Sequence, residues 1–470
     1  MSAETKPTGT TPAAVAEKMG VTNLELTTAR VCPSSAKEAK ACGKHAGGQR
    51  GQIALVTFAI LTAFTCYTLN YLFLRPLLLR VNPTPDFACY YRPAKMIVSG
   101  DGAKIYDLQA QHEYDARLQA EVVATDRRFD SRHFIAVPFI LLVFIPLTYL
   151  SYPHAEFTWY VLNVCMLLGL PFVLRHILGR GKLLPVAIVL PAFFFPVEFT
   201  LIEGQSSILL LLLLALVLSE LTQGHQVLAG CFLALAAFKP HLILPLLLAF
   251  LVARQWKSLM GFCGTSLILL GASVALVGWR TTFSFPNAVL QFNRLPINLG
   301  GDAPSIMPNI RGALYILLHS QISVSHLSAL TASISALLVI AAITCFARFK
   351  HQALVLSFSM LMAISVLASY HGYLHEMSLM ILPFFVVLRH LARHGFSSIR
   401  GALAATIFAV FIIPFAIPSI VAWVAAILLF AVALLVEILG RKQNPCLAVP
   451  NIPELVAAPT FAGASPHGWQ

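Results

Sequence analysis

An acidic residue early in the chain is of a type, and in a place, that could carry acid–base chemistry. Asp86 lies in the sequence Thr-Pro-Asp-Phe-Ala-Cys-Tyr-Tyr, shortly after the first long apolar run, and Tyr90 and Tyr91 follow it. A carboxylate flanked by aromatic side chains at the water–lipid boundary can act as a general base. The position after Pro85 also suits a helix N-cap, for which Asp is a favoured residue.

Two basic residues are candidates for binding a phosphate. Lys239 stands between Ala-Ala-Phe and Pro240-His241 in an apolar stretch, where a lysine needs an anionic partner such as a lipid-linked phosphate. Arg311 lies just after a Met-Pro-Asn sequence, and its guanidinium fork suits phosphate geometry. Lys239 could instead snorkel from a helix end, and Arg311 could form a surface salt bridge.

The run from Ser369 to Glu376 supplies two histidines and a carboxylate. We expect a helix to start here, on which His371 and His375 share one face if it begins before Gly372. The spacing suits a pair of metal ligands, but no HExxH motif or third ligand accompanies it. We therefore expect His375 to donate to a phosphate or to orient a carboxylate, while Glu376 could simply cap the helix.

A further polar site, Glu203-Gly204-Gln205, opens a leucine-rich run. Gln205 could hydrogen-bond sugar hydroxyls or cap the helix that begins at Ser206. The sequence has no Walker loop, GxGxxG or GxSxG motif, which argues against a nucleotide-driven pump, a dinucleotide enzyme and an α/β-hydrolase. An activated donor would then have to be lipid-borne.

The elements that must position these residues are transmembrane helices. Of the 470 residues, 58% are hydrophobic and only 11% are charged, and the mean hydropathy is +0.78. The apolar residues form long unbroken runs, which excludes a soluble enzyme, a disordered protein and a β-barrel. The net charge of +12 indicates loops that face an anionic leaflet rather than nucleic acid, because the basic residues cluster at helix ends. The nine cysteines lack the spacing of a disulfide framework or zinc site.

The sequence thus predicts an all-α polytopic membrane protein. Residues 51–440 form the membrane domain, between disordered cytoplasmic tails at 1–50 and 441–470. Two charged connections, 75–133 and 280–322, are predicted to be external loops with a function. Twelve apolar stretches approach the ~20 residues that cross a bilayer, and they lie at 53–74, 134–150, 155–175, 183–200, 206–222, 226–253, 257–279, 323–347, 352–369, 373–390, 400–417 and 418–438.

The positive-inside rule bears on two of these stretches. All six basic clusters can be cytoplasmic if 134–150 dips into the membrane and returns, and if 226–253 is a hairpin that turns near Lys239-Pro240. The alternative makes both stretches single spans and puts the cluster at 175–182 outside. We favour the first arrangement, because prolines and a charged residue argue against simple spans. It brings the polar sites together on the external face.

Five sequence segments, in order over roughly residues 86–383, carry a family resemblance. They are Asp86-Phe-Ala-Cys-Tyr-Tyr with Gly102-Ala-Lys-Ile-Tyr-Asp107; Gly204-Gln205; Ala229-Gly-Cys-Phe-Leu-Ala-Leu-Ala-Ala-Phe-Lys-Pro240; Pro308-Asn-Ile-Arg-Gly312; and Tyr370-His-Gly-Tyr-Leu-His-Glu376. With them the chain resembles the family 87 glycosyltransferases, integral membrane enzymes with the GT-C fold. Two departures are His375-Glu376, where His-Asp is expected, and Ser131-Arg-His-Phe134, where Tyr-Pro-Pro is usual. The second bears on acceptor recognition.

The resemblance implies a GT-C bundle of about 11–13 transmembrane helices. It also implies a polyprenyl-phosphate-sugar donor, typically polyprenyl phosphomannose, an acceptor outside the cytoplasm, and Asp86 as the counterpart of the catalytic acid of the first external loop. The residues assigned to the donor phosphate are Lys239, Arg311 and His375. Those assigned to the sugar or acceptor are Glu203, Gln205, Tyr90, Tyr91, His371 and Glu376.

Our hypothesis is a bacterial inner-membrane mannosyltransferase that acts on a lipid or glycan acceptor at the external face. Asp86 would take the proton from the acceptor hydroxyl in a single inverting displacement. No cofactor and no resident metal are predicted, although Asp86 with a phosphate could hold a divalent ion weakly. The alternatives are a flippase for a lipid-linked saccharide and a GT-C transferase of another sugar. The expected partners are membrane lipids, the donor and the acceptor, and no nucleic acid.

Overall fold

The computed structural model describes residues 36–77, 86–122, 133–179, 183–293, 303–395, 397–416 and 419–443. Most of the two predicted tails lies outside the described residues, as do residues 78–85, 123–132 and 294–302 of the predicted loops. The chain divides into two units, Met1–Leu55 and Val56–Gln470. The first contains the beginning of the first helix, and the second contains all the elements that follow it.

Every regular element among the described residues is helical, which confirms the all-α prediction. The α-helices are α1 (Ala36–Leu69), α2 (Phe87–Val98), α3 (Leu108–Val122), α4 (Leu141–Phe144), α5 (Tyr152–Val173), α6 (Arg175–Leu178), α7 (Leu183–Val189), α8 (Phe195–Glu203), α9 (Ser207–Gln223), α10 (Gln226–Leu235), α11 (Pro240–Val252), α12 (Trp256–Val277), α13 (Trp279–Phe292), α14 (Ile310–Leu318), α15 (Val324–Phe349), α16 (Leu354–Ala368), α17 (Ile381–His394), α18 (Ser398–Ala416) and α19 (Ile420–Gln443). Short π or 3₁₀ turns occupy Asn70–Leu74, Gly102–Lys104, Pro138–Ile140, Ile145–Tyr149, Leu190–Phe193, Ala236–Phe238, Pro304–Ile306 and Leu374–Met380.

Length and composition identify the helices that can cross a membrane. Six qualify within the described residues: Ile53–Leu77, Tyr152–Val173, Trp256–Val277, Val324–Phe349, Leu374–His394 and Ile420–Gly440. A seventh is formed if Leu183–Phe193 and Phe195–Glu203, bent by 60°, are one span. The remaining predicted stretches correspond to apolar helices of 10–17 residues. The protein is therefore a multi-pass membrane protein that combines full-length spans with shorter apolar helices.

Both stretches for which the sequence argued against a simple span are broken in the structure. Residues Pro138–Tyr149 form a short helical segment of mixed 3₁₀ and α turns. The stretch 226–253 divides at Lys239 into α10 with its 3₁₀ extension and α11. At 1.5 Å per residue, thirteen residues of α-helix reach only ~20 Å, short of the ~30 Å hydrocarbon core. The two halves pack on different neighbours, α10 along α12 and α11 against α15 and α16.

The core of the Val56–Gln470 unit lies around α16 and the helix that follows it. Every residue from Leu356 to Leu367 is buried, and 83% of the apolar window of Leu374–His394 is buried. A helix that is apolar on all sides belongs in an interior. The hydroxyls of Ser359 and Ser365 donate to carbonyls one turn back at 2.8 Å, so these buried polar groups are satisfied. This rigid core fixes the segment between the two helices, Ser369–Tyr373.

Helices α10 and α12 approach each other closely at two glycines. A Cβ on Gly230 would lie 1.8 Å from the Ser258 carbonyl oxygen, and a Cβ on Gly261 would lie 2.1 Å from that of Val227. Small residues allow such backbone contact between membrane helices. The contact holds α10, and therefore the break at Lys239, against a full-length span.

We predict that Gly261→Ala lowers the stability of the protein by about 1–3 kcal/mol, because the added methyl group overpacks the helix contact. Gly264→Ala, three residues along α12, is the matched control, since its Cβ would have no neighbour within 4 Å. Thermal unfolding in detergent, followed by size-exclusion of the folded fraction, measures both. Equal midpoints for the two variants would contradict the contact.

Candidate active site

A cavity of about 720 Å³ lies within the Val56–Gln470 unit. One side of it is polar and is built from the start of α2, the α8–α9 junction, the break between α10 and α11, and the segment before Leu374–Met380. The other side is mainly apolar and includes residues 134–136, α13 and Ile306. Seven of the ten site residues predicted from the sequence line the cavity: Asp86, Tyr90, Gln205, Lys239, His371, His375 and Glu376.

Asp86 is buried at the N-cap position of α2. It therefore occupies the N-cap position that the sequence alternative gave it, but its side chain makes no capping hydrogen bond. Its carboxylate has a partner in the cavity instead. The side-chain nitrogen Nε2 of Gln205 donates to Asp86 Oδ2 at 2.6 Å. This hydrogen bond joins the start of α2 to the start of α9 and fixes the orientation of the acid.

Gly204 makes the turn that brings Gln205 to Asp86. It ends α8 with φ of +65°, a left-handed conformation that glycine adopts without strain. The Trp159 indole donates to its carbonyl oxygen at 2.8 Å, and a Cβ at Gly204 would lie 2.7 Å from the Cβ of Phe87. The turn therefore needs glycine both for its backbone angle and for its contact with α2.

Tyr90 extends the polar contacts of Gln205 to the next residue. Its hydroxyl donates to Gln205 Oε1 at 3.3 Å and lies 2.9 Å from the hydroxyl oxygen of Ser206. Burial raises the pKa of Tyr90 well above its usual range, so the phenol stays protonated and remains a donor. Tyr90 thus adds a neutral hydroxyl to the acidic end of the cavity.

Lys239 defines the other end of the polar side. Pro240 occupies the first position of α11 and lacks an N–H, so the chain breaks here and Lys239 points into the cavity lining. Its Nζ donates to Ser207 Oγ at 2.8 Å and to Glu376 Oε1 at 3.1 Å. Lys239 is 7% exposed and Glu376 is 3% exposed, so this is a buried ion pair rather than a snorkelling lysine.

Glu376 links several groups at that end. Its Oε1 lies 3.3 Å from His375 Nε2 and 4.0 Å from His241 Nε2, and its Oε2 accepts from the Tyr373 backbone N–H at 2.6 Å. The last contact belongs to a capping box at the start of Leu374–Met380. The capping role that the sequence offered for Glu376 is confirmed, and it coexists with the pairing to Lys239.

His371 and His375 do not share a helical face. The helix starts at Leu374, after Gly372, so His371 lies in the preceding loop. A Cβ on Gly372 would lie 2.7 Å from Asn309 Nδ2, which shows how closely this loop packs on the start of α14. Both histidines nevertheless line the cavity, and the ring of His371 lies 6.2 Å from that of His241.

Three predicted site residues lie outside the cavity lining. Tyr91 is buried on α2 and donates to the Leu150 carbonyl at 2.9 Å. Glu203 is the buried last residue of α8. Arg311 lies over the ring of Tyr370 at 3.8 Å and donates to the Tyr370 carbonyl at 3.2 Å, in the lining of a smaller cavity.

Residues 133–136 form a wall of the cavity that the sequence analysis did not predict, although it linked the overlapping segment Ser131-Arg-His-Phe134 to acceptor recognition. Gln111 accepts from the Phe134 N–H at 3.1 Å, and the Tyr106 hydroxyl donates to the Ala136 carbonyl at 2.7 Å. Gln111 in turn accepts from Arg92, a fully buried residue that also pairs with Asp115 at 2.6 Å. The segment α2–α3 thus fixes the wall. Phe134 is the last residue of Ser131-Arg-His-Phe134, one of the two segments that differ from the family pattern.

The sequence reasoning also missed Ser206, Ser207 and the role of His241. The serines directly follow Gln205 and lack any motif of their own, so their importance comes from the tertiary contacts of Tyr90 and Lys239. Within the described residues, no group of three or more His, Cys, Asp or Glu side chains is placed to hold a metal ion.

The fold and this cavity define a helical membrane protein with a buried acid and a buried lysine in one pocket. The family model of glycosyltransferase family 87 matches residues 134–369, half of the chain. The protein therefore belongs to glycosyltransferase family 87 and is a membrane glycosyltransferase. Gln205 and Lys239 lie inside the matched range, whereas Asp86 and Glu376 lie outside it. A comparison with curated proteins finds no match.

The buried ion pair of Lys239 and Glu376 predicts that losing one charge destabilises the protein more than losing both. Lys239→Met alone leaves Glu376 buried without its cation and costs about 3–5 kcal/mol of stability. The double variant Lys239→Met, Glu376→Gln removes both charges and keeps the cap on Tyr373, so it should recover most of that stability. Thermal midpoints in detergent measure the series. A double variant less stable than Lys239→Met would show that the pair is not coupled.

Proposed function

We propose that this glycosyltransferase moves a hexose from a polyprenyl-phosphate donor to a lipid or glycan acceptor, and mannose is the hexose we favour. The observation that carries the proposal is the placing of Asp86, oriented by Gln205, in the same cavity as Lys239, Glu376 and His375. One end of the cavity supplies an acid–base group, and the other end supplies cationic and neutral hydrogen-bond donors. A single inverting displacement needs those two functions on opposite sides of the sugar.

Asp86 is the proposed general base. Its carboxylate lines the cavity, where an acceptor hydroxyl can reach it, and the hydrogen bond from Gln205 holds it in place. The base takes the hydroxyl proton as the oxygen attacks the anomeric carbon, and the bond from that carbon to the phosphate oxygen breaks on the opposite face. Tyr90 and Gln205 are positioned to bind hydroxyl groups beside this acid.

Lys239 is the proposed partner of the departing phosphate. An ammonium has three donors, and Ser207 and Glu376 take two of them within the described residues. His375 adds a ring nitrogen, and the N-terminus of α9 adds the positive end of a helix dipole. The negative charge of Glu376 is offset by its contacts with Lys239, His375 and the Tyr373 N–H, so Glu376 need not repel the phosphate. Donors held in advance stabilise charge that grows in the transition state.

The apolar side of the cavity supports a lipid-linked donor. It includes Phe285, Val289, Leu290 and Phe292 of α13, which offer apolar surface in the same cavity as the proposed phosphate site. This composition suits an aliphatic chain better than a nucleotide. We further propose a bacterial inner-membrane location with the cavity at the external face, on the basis of the basic clusters in the predicted cytoplasmic loops.

We predict that Asp86→Asn lowers sugar transfer by about 10²–10⁴-fold, the usual contribution of general-base catalysis. The assay uses detergent-permeabilised membranes that contain the protein, radiolabelled polyprenyl phosphomannose, and a set of lipid and glycan acceptors. Glu113→Gln is the matched control, because it makes the same chemical change at an exposed carboxylate of α3.

Two outcomes would contradict the proposal. If the Asp86→Asn variant kept more than about a tenth of wild-type activity, Asp86 would not be the general base. Absence of transfer from mannose, glucose or arabinose donors, with labelled lipid crossing the bilayer instead, would favour a flippase.

A further inference from the structure

Two arginines lie at the end of the molecule opposite the cavity. The span Leu374–His394 begins beside the cavity, so its other end, which carries Arg389 and Arg393, lies at the opposite membrane face. Helix α9 runs in the same direction, and its last turn meets α6, where His176 Nε2 lies 2.7 Å from the hydroxyl oxygen of Thr222. The ends of α6, α9 and α17 therefore meet at that face.

Helix α6 brings a third arginine to this place. Arg175 starts the single turn of α6 and Gly179 closes it, since the Gly179 N–H donates to the Arg175 carbonyl at 2.8 Å. A Cβ on Gly179 would lie 3.0 Å from Nη2 of Arg389. The guanidinium of Arg389 thus occupies room that any other residue at position 179 would fill. We call Arg175, Arg389 and Arg393 the arginine cluster.

The arginine cluster lacks an anionic partner. Arg389 is half-buried, and its Nε is buried without a hydrogen-bond acceptor. Within the described part of the chain, none of the three guanidinium groups forms an ion pair or a hydrogen bond. Arg389 and Arg393 are four residues apart on one helix face, where like charges repel each other. The negative ends of the helix dipoles offset part of this charge, but they leave the five N–H donors of each guanidinium unused.

Two described carboxylates at this end of the molecule pair with histidines instead. Glu437 Oε1 lies 2.6 Å from His390 Nε2, and Glu220 Oε2 lies 2.8 Å from His225 Nδ1. A fourth arginine, Arg400, is engaged as well, because it donates to the carbonyls at the end of α17. The arginine cluster therefore keeps unused cationic donors that an outside anion can satisfy.

The surroundings of the cluster favour an anion that carries an aliphatic chain. Phe172, one turn before Arg175, and Val186 on α7 expose apolar side chains, and α7 packs on both α5 and α17. An acyl chain can lie along this apolar surface while its headgroup reaches the arginines. Guanidinium forks bind phosphate oxygens in pairs, and basic pockets between membrane helices bind anionic headgroups. A soluble anion would use the arginines but not the apolar surface.

We propose that the arginine cluster binds the phosphate of an anionic phospholipid at the membrane face opposite the cavity. This site is distinct from the proposed donor site, since Lys239 and the cavity lie at the other end of the span Leu374–His394. The inference does not depend on the proposed function, because it concerns lipid binding and not sugar transfer.

The test measures lipid binding to the full-length protein in a neutral detergent by native mass spectrometry. The probes are a short-chain phosphatidylglycerol and the phosphatidylcholine with the same acyl chains, and inorganic phosphate is the competitor. The phosphatidylglycerol should bind about 10-fold more tightly, because choline offsets the phosphate charge of the other lipid. An equal concentration of inorganic phosphate should not displace it, since phosphate lacks the acyl chains.

Substitutions in the cluster should weaken binding of the phosphatidylglycerol in steps. Arg393→Gln should raise its Kd about 5-fold, and the double variant Arg389→Gln, Arg393→Gln about 25-fold, as expected for the attraction of each arginine to an anionic headgroup. Arg348→Gln is the matched control, because it makes the same change at an exposed arginine in the last turn of another span, α15. It should leave the Kd unchanged.

Three results would overturn the inference. Equal Kd values for the two lipids would exclude recognition of the anionic headgroup, and displacement by equimolar phosphate would assign the cluster to a soluble anion. An increase in Kd as large in Arg348→Gln as in Arg393→Gln would show diffuse attraction to surface charge. Arg393 is exposed, so Arg393→Gln keeps the test decisive if the double variant fails to fold.

Discussion

Lys239 and Glu376 form an ion pair that is buried away from water. A buried ammonium and a buried carboxylate stay charged only when other groups satisfy their remaining hydrogen-bonding capacity. In this protein those groups are Ser207, His375 and the Tyr373 N–H. They come from the start of α9 and from the segment that follows α16, while Lys239 comes from the break between α10 and α11. The requirement to satisfy one buried ion pair therefore places three distant parts of the chain around the same cavity.

The junction between α8 and α9 connects this ion pair to the acidic end of the cavity. Gly204 turns the chain, Gln205 holds Asp86, Ser206 contacts Tyr90 and Ser207 contacts Lys239. Four consecutive residues thus connect the acid to the lysine through a rigid helix start. The backbone of this helix start fixes the spacing of the two side chains that hold Asp86 and Lys239, as preorganised catalysis requires.

Much of this arrangement could be predicted from the sequence, because it depends on local chemistry. The Lys239-Pro240 break follows from the missing N–H of proline, and Gly204 marks a helix end that needs a left-handed residue. Partners across the fold could not be predicted, because spacing says nothing about them. The pairing of Lys239 with Glu376 and the position of Arg311 outside the main cavity both depend on how α14 and α16 pack. The helix start at Leu374 was missed because a capping box, rather than the first polar residue, determines it.

The polar residues of the cavity share one structural setting, since each lies where a helix starts, ends or is interrupted. Asp86 precedes α2, Gln205 lies between α8 and α9, Lys239 lies between α10 and α11, and His371 lies before Leu374–Met380. Non-helical backbone at membrane depth is tolerated only inside protein or beside a cavity. The breaks at Gln205 and Lys239, which lie between apolar helices, therefore need the cavity, and the cavity needs them to bring polar side chains together. The candidate active site is accordingly bordered by the ends of short apolar helices and by the start of the span Leu374–His394.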